Sequence, residues 1–214
     1  MADELVFYTN PMSRGRVARW MLEEIGQPYR TEYLEYGSTE SGGMKAPDYL
    51  AINPMGKVPT IVHITDRGEQ VVTEVDAICT YLADAFPETG LAPLPAERGA
   101  YYRWIFFTAG PFEAAIINRA LEVDVPDEKK GFVGYGNYAD VMDTVEAAVD
   151  HDGYIAGDTF TAADVCLGSQ IGFGMQFGGV EKRPAFERCW ERVSDRDAKL
   201  RADEIDNAAM PKEG

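Results

Sequence analysis

The chain has 214 residues, 45% of them hydrophobic, and a formal net charge of −16 from 20 basic and 36 acidic residues. This length allows one large domain or two small ones, with enough apolar residues for a core. The negative charge repels phosphate backbones and anionic lipid, so neither nucleic acid nor a membrane is an expected partner. The longest apolar-leaning run, residues 165–180, contains five glycines and is too short and too polar to cross a bilayer.

The three cysteines, Cys79, Cys166 and Cys189, are far apart in the sequence and form no Cys-x-x-Cys pair. No cluster of cysteines and histidines has the spacing of metal ligands, so we expect no bound metal. The first residues show neither the basic start nor the long apolar stretch of an export signal. These observations favour a cytoplasmic protein.

The first 52 residues predict alternating strands and helices. Residues 5–8 are a short apolar strand, and residues 13–24 have helical spacing of apolar side chains, ended by Gly26. Residues 30–35 alternate as a second strand, and residues 46–52 are consistent with a short helix.

Residues 53–84 continue as turn, strand, tight turn, strand and helix. Pro59 lies at the start of the β-branched strand 58–64, where a missing N–H matters least. The main chain of Val58 is thereby available to pair with something other than the sheet. Glu74 lies in the first turn of the next helix, where unpaired N–H groups favour an anion. We therefore predict a site for a short peptide-like ligand, whose main chain pairs with that of Val58 and whose carboxylate is bound at the start of the helix.

The order of these elements predicts an α+β, thioredoxin-like domain with a four-stranded mixed sheet over residues 1–85. A Pro- and Gly-rich connector, residues 86–95, is the predicted domain boundary. Residues 96–214 are predicted to form an all-α domain, with a kink at Gly110–Pro111. The glycines of residues 168–179 indicate close helix packing, and the polar tail from about Asp203 is expected to fray.

Two N-capping patterns mark helix starts in this second half, at Asn137 and at Thr161 with Asp164. Another helix is predicted to begin at Pro184. The pattern at residues 160–164 also resembles the N-capping motif in the helical domain of the cytosolic-type glutathione S-transferases. Residues 53–78 carry a stronger resemblance to the same family.

Residues 53–59, NPMGKVP, and Glu74, Ala77 and Ile78 resemble the glutathione site of the cytosolic-type glutathione S-transferases. That family has N-P-x-G-K-V-P, a strand pair and then E-S-x-A-I on a helix. Val75 occupies the usual position of the serine, and a lost hydroxyl would remove one hydrogen bond of roughly 1–3 kcal/mol to the γ-glutamyl carboxylate. The resemblance covers nearly the whole chain, and residues 8–24 are most similar to bacterial members.

The resemblance implies a residue near the end of the first strand that stabilises the glutathione thiolate. Ser13 is the first candidate, with Tyr8 and Asn10 as alternatives. Ser13 could equally act only as a helix cap, and Tyr8 only as a strand-end residue.

The resemblance further implies that glutathione, as co-substrate, is bound at Val58, Pro59, Glu74 and Val75. Lys57 is the candidate partner of the glycyl carboxylate, with Lys45 as a second candidate. A lysine in a solvated turn is the alternative for Lys57.

Tyr102, Arg103 and Phe106 could line an acceptor pocket between the domains, although each could instead be a core residue. The expected reaction is attack of the glutathione thiolate on a small, apolar electrophile, without a metal, by a homodimer. Glutathione-dependent peroxide reduction, isomerisation, dehalogenation and ether cleavage remain alternatives, as does a non-catalytic interaction module of the same fold.

Overall fold

The structure is a computed structural model, and it describes residues 4–211. These residues form two compact units, each with its own core. The first unit contains residues 4–89 together with residues 196–211, and the second contains residues 90–195.

The first unit is built on a four-stranded mixed sheet, as predicted. The strands are β1 (Glu4–Thr9), β2 (Tyr29–Tyr33), β3 (Thr60–Thr65) and β4 (Gly68–Thr73), in the spatial order β2-β1-β3-β4. Strand β1 runs parallel to β2 and antiparallel to β3, and β3 and β4 form a hairpin. The parallel pair is joined by a helix, as a parallel crossover requires.

The first unit also contains the helices α1 (Gly15–Ile25), α2 (Pro47–Ile52) and α3 (Val75–Ala85). Gly26 ends α1 in the left-handed conformation, with φ 66°, and donates its N–H to the Leu22 carbonyl. The predicted start of α1 at Ser13 is wrong by two residues. Residues 10–13 form a hydrogen-bonded turn, with Ser13 N–H donating to the Asn10 carbonyl, and Arg14 occupies the N-cap position.

The last helix, α9 (Asp197–Ala208), packs on α1, so the expectation of a fraying tail from about Asp203 is wrong. Asp206 is buried there and pairs with the buried Arg19. A polar composition indicated solvent exposure, but these polar residues have charged partners on α1. The helix therefore belongs to the first unit, whereas the predicted all-α domain extended to residue 214.

The second unit is helical, as predicted. Its helices are α4 (Gly99–Phe107), α5 (Glu113–Ala120), α6 (Tyr138–Val149), α7 (Ala162–Phe177) and α8 (Pro184–Ser194). A π-helical turn containing Pro111 separates α4 from α5 at the predicted kink. Thr161 and Asp164 form the predicted capping box of α7, and Asn137 caps α6.

The glycines of α7 allow close packing, as predicted. A Cβ on Gly172 would lie 2.6 Å from the Trp190 ring, and one on Gly174 would lie 2.3 Å from Val180. Within residues 4–211, no helix is both long enough and apolar enough to span a bilayer.

Candidate functional site

One row of residues across the sheet determines where the candidate site lies. Tyr8 on β1 is paired with Thr60 on β3, and Thr60 is paired with Thr73 on β4. Neighbouring strands lie about 4.8 Å apart. The turn after β1, the Val58–Pro59 segment before β3 and Glu74 after β4 therefore leave the sheet at the same edge.

The segment before β3 is held by a small buried network. The Tyr49 hydroxyl donates to the Lys57 carbonyl at 2.5 Å, and the Asn53 amide donates to the same oxygen at 2.9 Å. Both side chains also contact the Thr60 hydroxyl, at 2.9 and 3.2 Å. The Val58–Pro59 peptide that follows is cis. The network fixes the main chain just ahead of Val58.

Sequence reasoning missed Tyr49 and treated Asn53 as a turn residue and as part of the NPMGKVP motif. Burial raises the pKa of the Tyr49 hydroxyl, so this group remains protonated and donating at neutral pH. Asn53 is only 4% exposed, and a buried polar side chain requires partners, but this burial is visible only in the structure.

Glu74 lies at the start of α3 in an uncommon backbone conformation, with φ 68° and ψ 122°. Its side chain is exposed and makes no capping hydrogen bond, while its carbonyl accepts the first helical hydrogen bond from Ile78. The N–H groups of the first turn of a helix have no partner within that helix. Val75 is the first residue of α3, and its hydrophobic side chain leaves only the main-chain N–H as a donor.

The two candidate lysines are in different situations. Lys57 is exposed, with its ammonium 6.0 Å from the centre of the Tyr36 ring. Lys45 is also exposed, but its ammonium donates to the Met55 carbonyl at 2.7 Å. Lys57 is therefore more readily available to a ligand carboxylate.

Ser13 and Asn10 are both hydrogen-bonded within the turn after β1. The Ser13 hydroxyl donates to the Asn10 carbonyl at 2.7 Å and accepts from the Gly15 N–H at 3.0 Å. The Asn10 amide donates to the Leu34 carbonyl at 2.9 Å. An amide has two N–H donors, and a hydroxyl can rotate, so either group can still offer a proton to a sulfur.

Tyr8 packs in a small cluster rather than in the turn. Its ring lies 5.5 Å from that of Tyr49 and packs against the cluster of Leu34, Met44 and Tyr49. Its half-buried position accords with packing at the end of the strand.

A cavity of about 230 Å³ lies beside the same turn within the first unit. Most of the surrounding side chains are apolar, and Glu35 adds a negative charge. The lining residues are Asn10, Pro11, Met12, Tyr33, Leu34, Glu35, Ala209 and Pro211. Two of them follow α9, which sequence reasoning did not assign to this part of the fold.

The predicted acceptor residues all lie on α4 of the second unit. Tyr102 is 40% exposed and Phe106 is 70% exposed, so neither is a core residue. The Arg103 guanidinium lies 4.5 Å from the centre of the Trp104 ring.

The fold and the site define a class of protein: a thioredoxin-like unit without a redox cysteine pair, accompanied by a helical unit. At one edge of its sheet it has an extended segment, a helix N-terminus and a hydroxyl-bearing turn. Residues 12–85 match the family model for the N-terminal domain of glutathione S-transferases.

Glutathione S-transferase 1 of Dianthus caryophyllus is 31% identical over an alignment of 155 positions that covers 66% of this chain and 68% of that protein. A glutathione transferase structure from Methylococcus capsulatus has a TM-score of 0.75 and 26% identity, covering 95% of this chain and 99% of that one. A sphingomonad glutathione S-transferase complexed with glutathione has the same fold, with a TM-score of 0.74 and 23% identity, covering 94% of this chain and 98% of that one. The chain belongs to the glutathione S-transferase family.

Proposed function

We propose that this protein binds glutathione where the turn after β1, the Val58–Pro59 segment and Glu74 leave the sheet. There it activates the glutathione thiol for attack on a small, apolar electrophile. The observation that carries the proposal is the row Tyr8, Thr60 and Thr73, because it gathers the turn, the Val58 segment and the start of α3. A tripeptide in extended conformation can contact all three.

In this proposal the main chain of glutathione pairs with that of Val58, as an added strand pairs with a sheet edge. Its γ-glutamyl carboxylate accepts from the N–H groups at the start of α3, and the exposed Glu74 carboxylate meets the α-ammonium. Its glycyl carboxylate pairs with Lys57. Each partner contacts a different part of the tripeptide, which fixes the direction in which it binds.

The thiol needs assistance because a free thiol has a pKa of about 8.5, so only a few per cent is thiolate at pH 7. Lowering this pKa by about 2 units requires roughly 2.7 kcal/mol of differential interaction. Rotation of the Ser13 hydroxyl from the Asn10 carbonyl to the sulfur would supply one hydrogen bond, and the second Asn10 N–H another. The thiol proton goes to solvent, a carbon–sulfur bond forms, and the leaving group departs with its electron pair.

The cavity of about 230 Å³ beside residues 10–12 is the proposed position of the electrophile in the first unit. Its apolar lining favours an apolar substrate, and Glu35 disfavours an anionic one. The part played by Tyr102, Arg103 and Phe106 remains a prediction.

The protein is further proposed to act in the cytoplasm as a homodimer. Support for association comes from exposed apolar side chains on α4 and α5, including Phe106 and Ile117. Light scattering after gel filtration, at protein concentrations above and below about 1 μM, distinguishes a dimer from a monomer.

The test combines calorimetry with glutathione and initial rates with a chloronitroaromatic and, in parallel, a hydroperoxide. We expect saturable binding, chloride release and faster turnover with the chloronitroaromatic.

Ser13→Ala should raise the pKa of the bound thiol while glutathione binding persists. An unchanged pKa of the bound thiol would assign Ser13 to turn formation. Absence of saturable glutathione binding would overturn the proposal, and turnover confined to the hydroperoxide would replace it with peroxide reduction.

A further inference from the structure

Helix α9 lies along α1 and is joined to it by charged side chains over its whole length. Near the C-terminal end of α1, Arg196 binds both oxygens of Glu24, at 2.6 and 2.8 Å, and Arg201 contacts Glu23 at 3.2 Å. Near the N-terminal end of α1, Asp203 accepts from Arg16 and Asp206 from Arg19. The N-terminal end of α1, where these last two pairs lie, adjoins the turn of residues 10–13.

Arg16 contacts both α9 and that turn. One terminal nitrogen, Nη2, donates to Asp203 at 3.2 Å and to Asn207 at 2.9 Å. The other, Nη1, donates to the Pro11 carbonyl at 3.3 Å. The guanidinium is planar and rigid, so the position of α9 constrains the direction from which Pro11 is held.

The Pro11 carbonyl lies inside the turn that orients the candidate thiol-activating groups. Asn10 accepts from the Ser13 hydroxyl at 2.7 Å through its carbonyl and from the Met12 N–H at 3.0 Å through its side chain. Rotation of the peptide after Pro11 would move that Met12 N–H and, with it, the Asn10 amide. The contact from Arg16 therefore restrains the groups on either side of Pro11.

We propose that Arg16 is a positioning residue through which α9 holds the turn of residues 10–13 in the geometry that thiol activation requires. This inference rests on the proposed function and deepens it by extending control of the site to the last helix. Arg16 itself does not touch the reacting sulfur in this proposal.

The decisive comparison is Arg16→Met against Arg201→Met, which removes an arginine from the other end of the same helix pair. Measurements are the pH profile of kcat/KM, the dissociation constant for glutathione and hydrogen exchange of the amides in residues 9–14. For Arg16→Met we expect a roughly tenfold lower kcat/KM at pH 7, equal to about 1.4 kcal/mol. The profile should move to higher pH, glutathione affinity should stay within about twofold, and exchange in residues 9–14 should be faster.

Arg201→Met should leave all of these at the wild-type values, and Arg16→Lys should recover part of the loss. Asn207→Ala tests the α9 side, since Asp203 is also bound by Lys199; it should produce a smaller change of the same kind. Equal effects of Arg16→Met and Arg201→Met, or unchanged exchange in residues 9–14, would overturn the inference. If the wild-type protein lacks glutathione turnover, the proposed function fails, while the exchange data still decide whether Arg16 holds the turn.

Discussion

The Arg19 guanidinium donates to the Asp206 carboxylate across 2.7 Å, and both side chains are 1% exposed. Arg19 also donates to the hydroxyls of Tyr29 and Tyr33 and lies 5.1 Å from the centre of the Phe7 ring. Burial alone would lower the pKa of Arg19, but the Asp206 carboxylate and the Tyr29 hydroxyl raise it above its ordinary value. Arg19 therefore remains charged, and its burial is favourable only while the Asp206 carboxylate balances that charge.

Asp206→Ala should reduce the free energy of unfolding by about 3–5 kcal/mol, because it leaves a buried cation without its anion. Urea unfolding followed by circular dichroism measures the change. Arg201→Met, in a pair whose arginine is 53% exposed, should change it by about 0–1 kcal/mol. Equal losses in the two variants would show that the buried pair contributes no more to the free energy of unfolding than the exposed one.

Tyr49→Phe should weaken glutathione binding by about threefold to tenfold, the equivalent of one hydrogen bond. The Lys57 carbonyl would keep Asn53 as a donor but lose Tyr49, so the segment before Val58 would be less firmly held. Calorimetric titration measures the affinity. Tyr36→Phe is the matched control: the residue is 76% exposed, and the substitution keeps the ring beside the Lys57 ammonium, so it should have no effect. Unchanged affinity in Tyr49→Phe would separate this network from the ligand site.

Lys57→Ala should raise KM for glutathione by up to about fivefold with little change in kcat, because an exposed ion pair contributes at most about 1 kcal/mol. Lys45→Ala should have a smaller effect, since its ammonium is already bound to the Met55 carbonyl. Steady-state rates at varied glutathione concentration measure both. A larger effect in Lys45→Ala would exchange the two assignments.

Cys189 should resist alkylation in the folded protein. Burial raises the pKa of its thiol to about 11, and the Asp164 carboxylate contributes to the increase. The reactive thiolate is therefore scarce at pH 8 and increases as the pH rises toward 11. Mass spectrometry measures the modification after iodoacetamide treatment between about pH 7 and pH 10, a range that brackets the ordinary pKa of a thiol.

Cys79 and Cys166 are buried, so the folded chain should remain largely unmodified at pH 8 while the urea-unfolded chain takes up three groups. Rapid uptake of one group by the folded chain at pH 8 would contradict the raised pKa of Cys189.

Much of the fold could be predicted because its signals are local. The β-branched alternation before Asp66, the turn glycine Gly68 and the capping box at Thr161 each determine structure within a few residues. The mixed sheet follows from the order of elements. The start of α1 was less predictable, since Ser13 bonds to the turn behind it as well as to the Gly15 N–H ahead.

The position of α9 could not be predicted in the same way, because it depends on pairs far apart in sequence. Asp206 is recognisable as buried only once Arg19 is known to face it. Tyr49 was missed for a related reason: its partner is the Lys57 carbonyl, and a main-chain atom gives no signal in the sequence. The motif around Val58 predicted where a ligand would lie but not which side chains support that segment.

The return of α9 to the first unit bears on how the chain folds during synthesis. The sheet, α1 and α3 leave the ribosome first, yet Arg19 receives its partner only when residue 206 has been made. The half translated first is thus completed last, and in a fragment ending at Thr89 the Arg19 guanidinium would lack the Asp206 carboxylate that pairs with it in the whole chain.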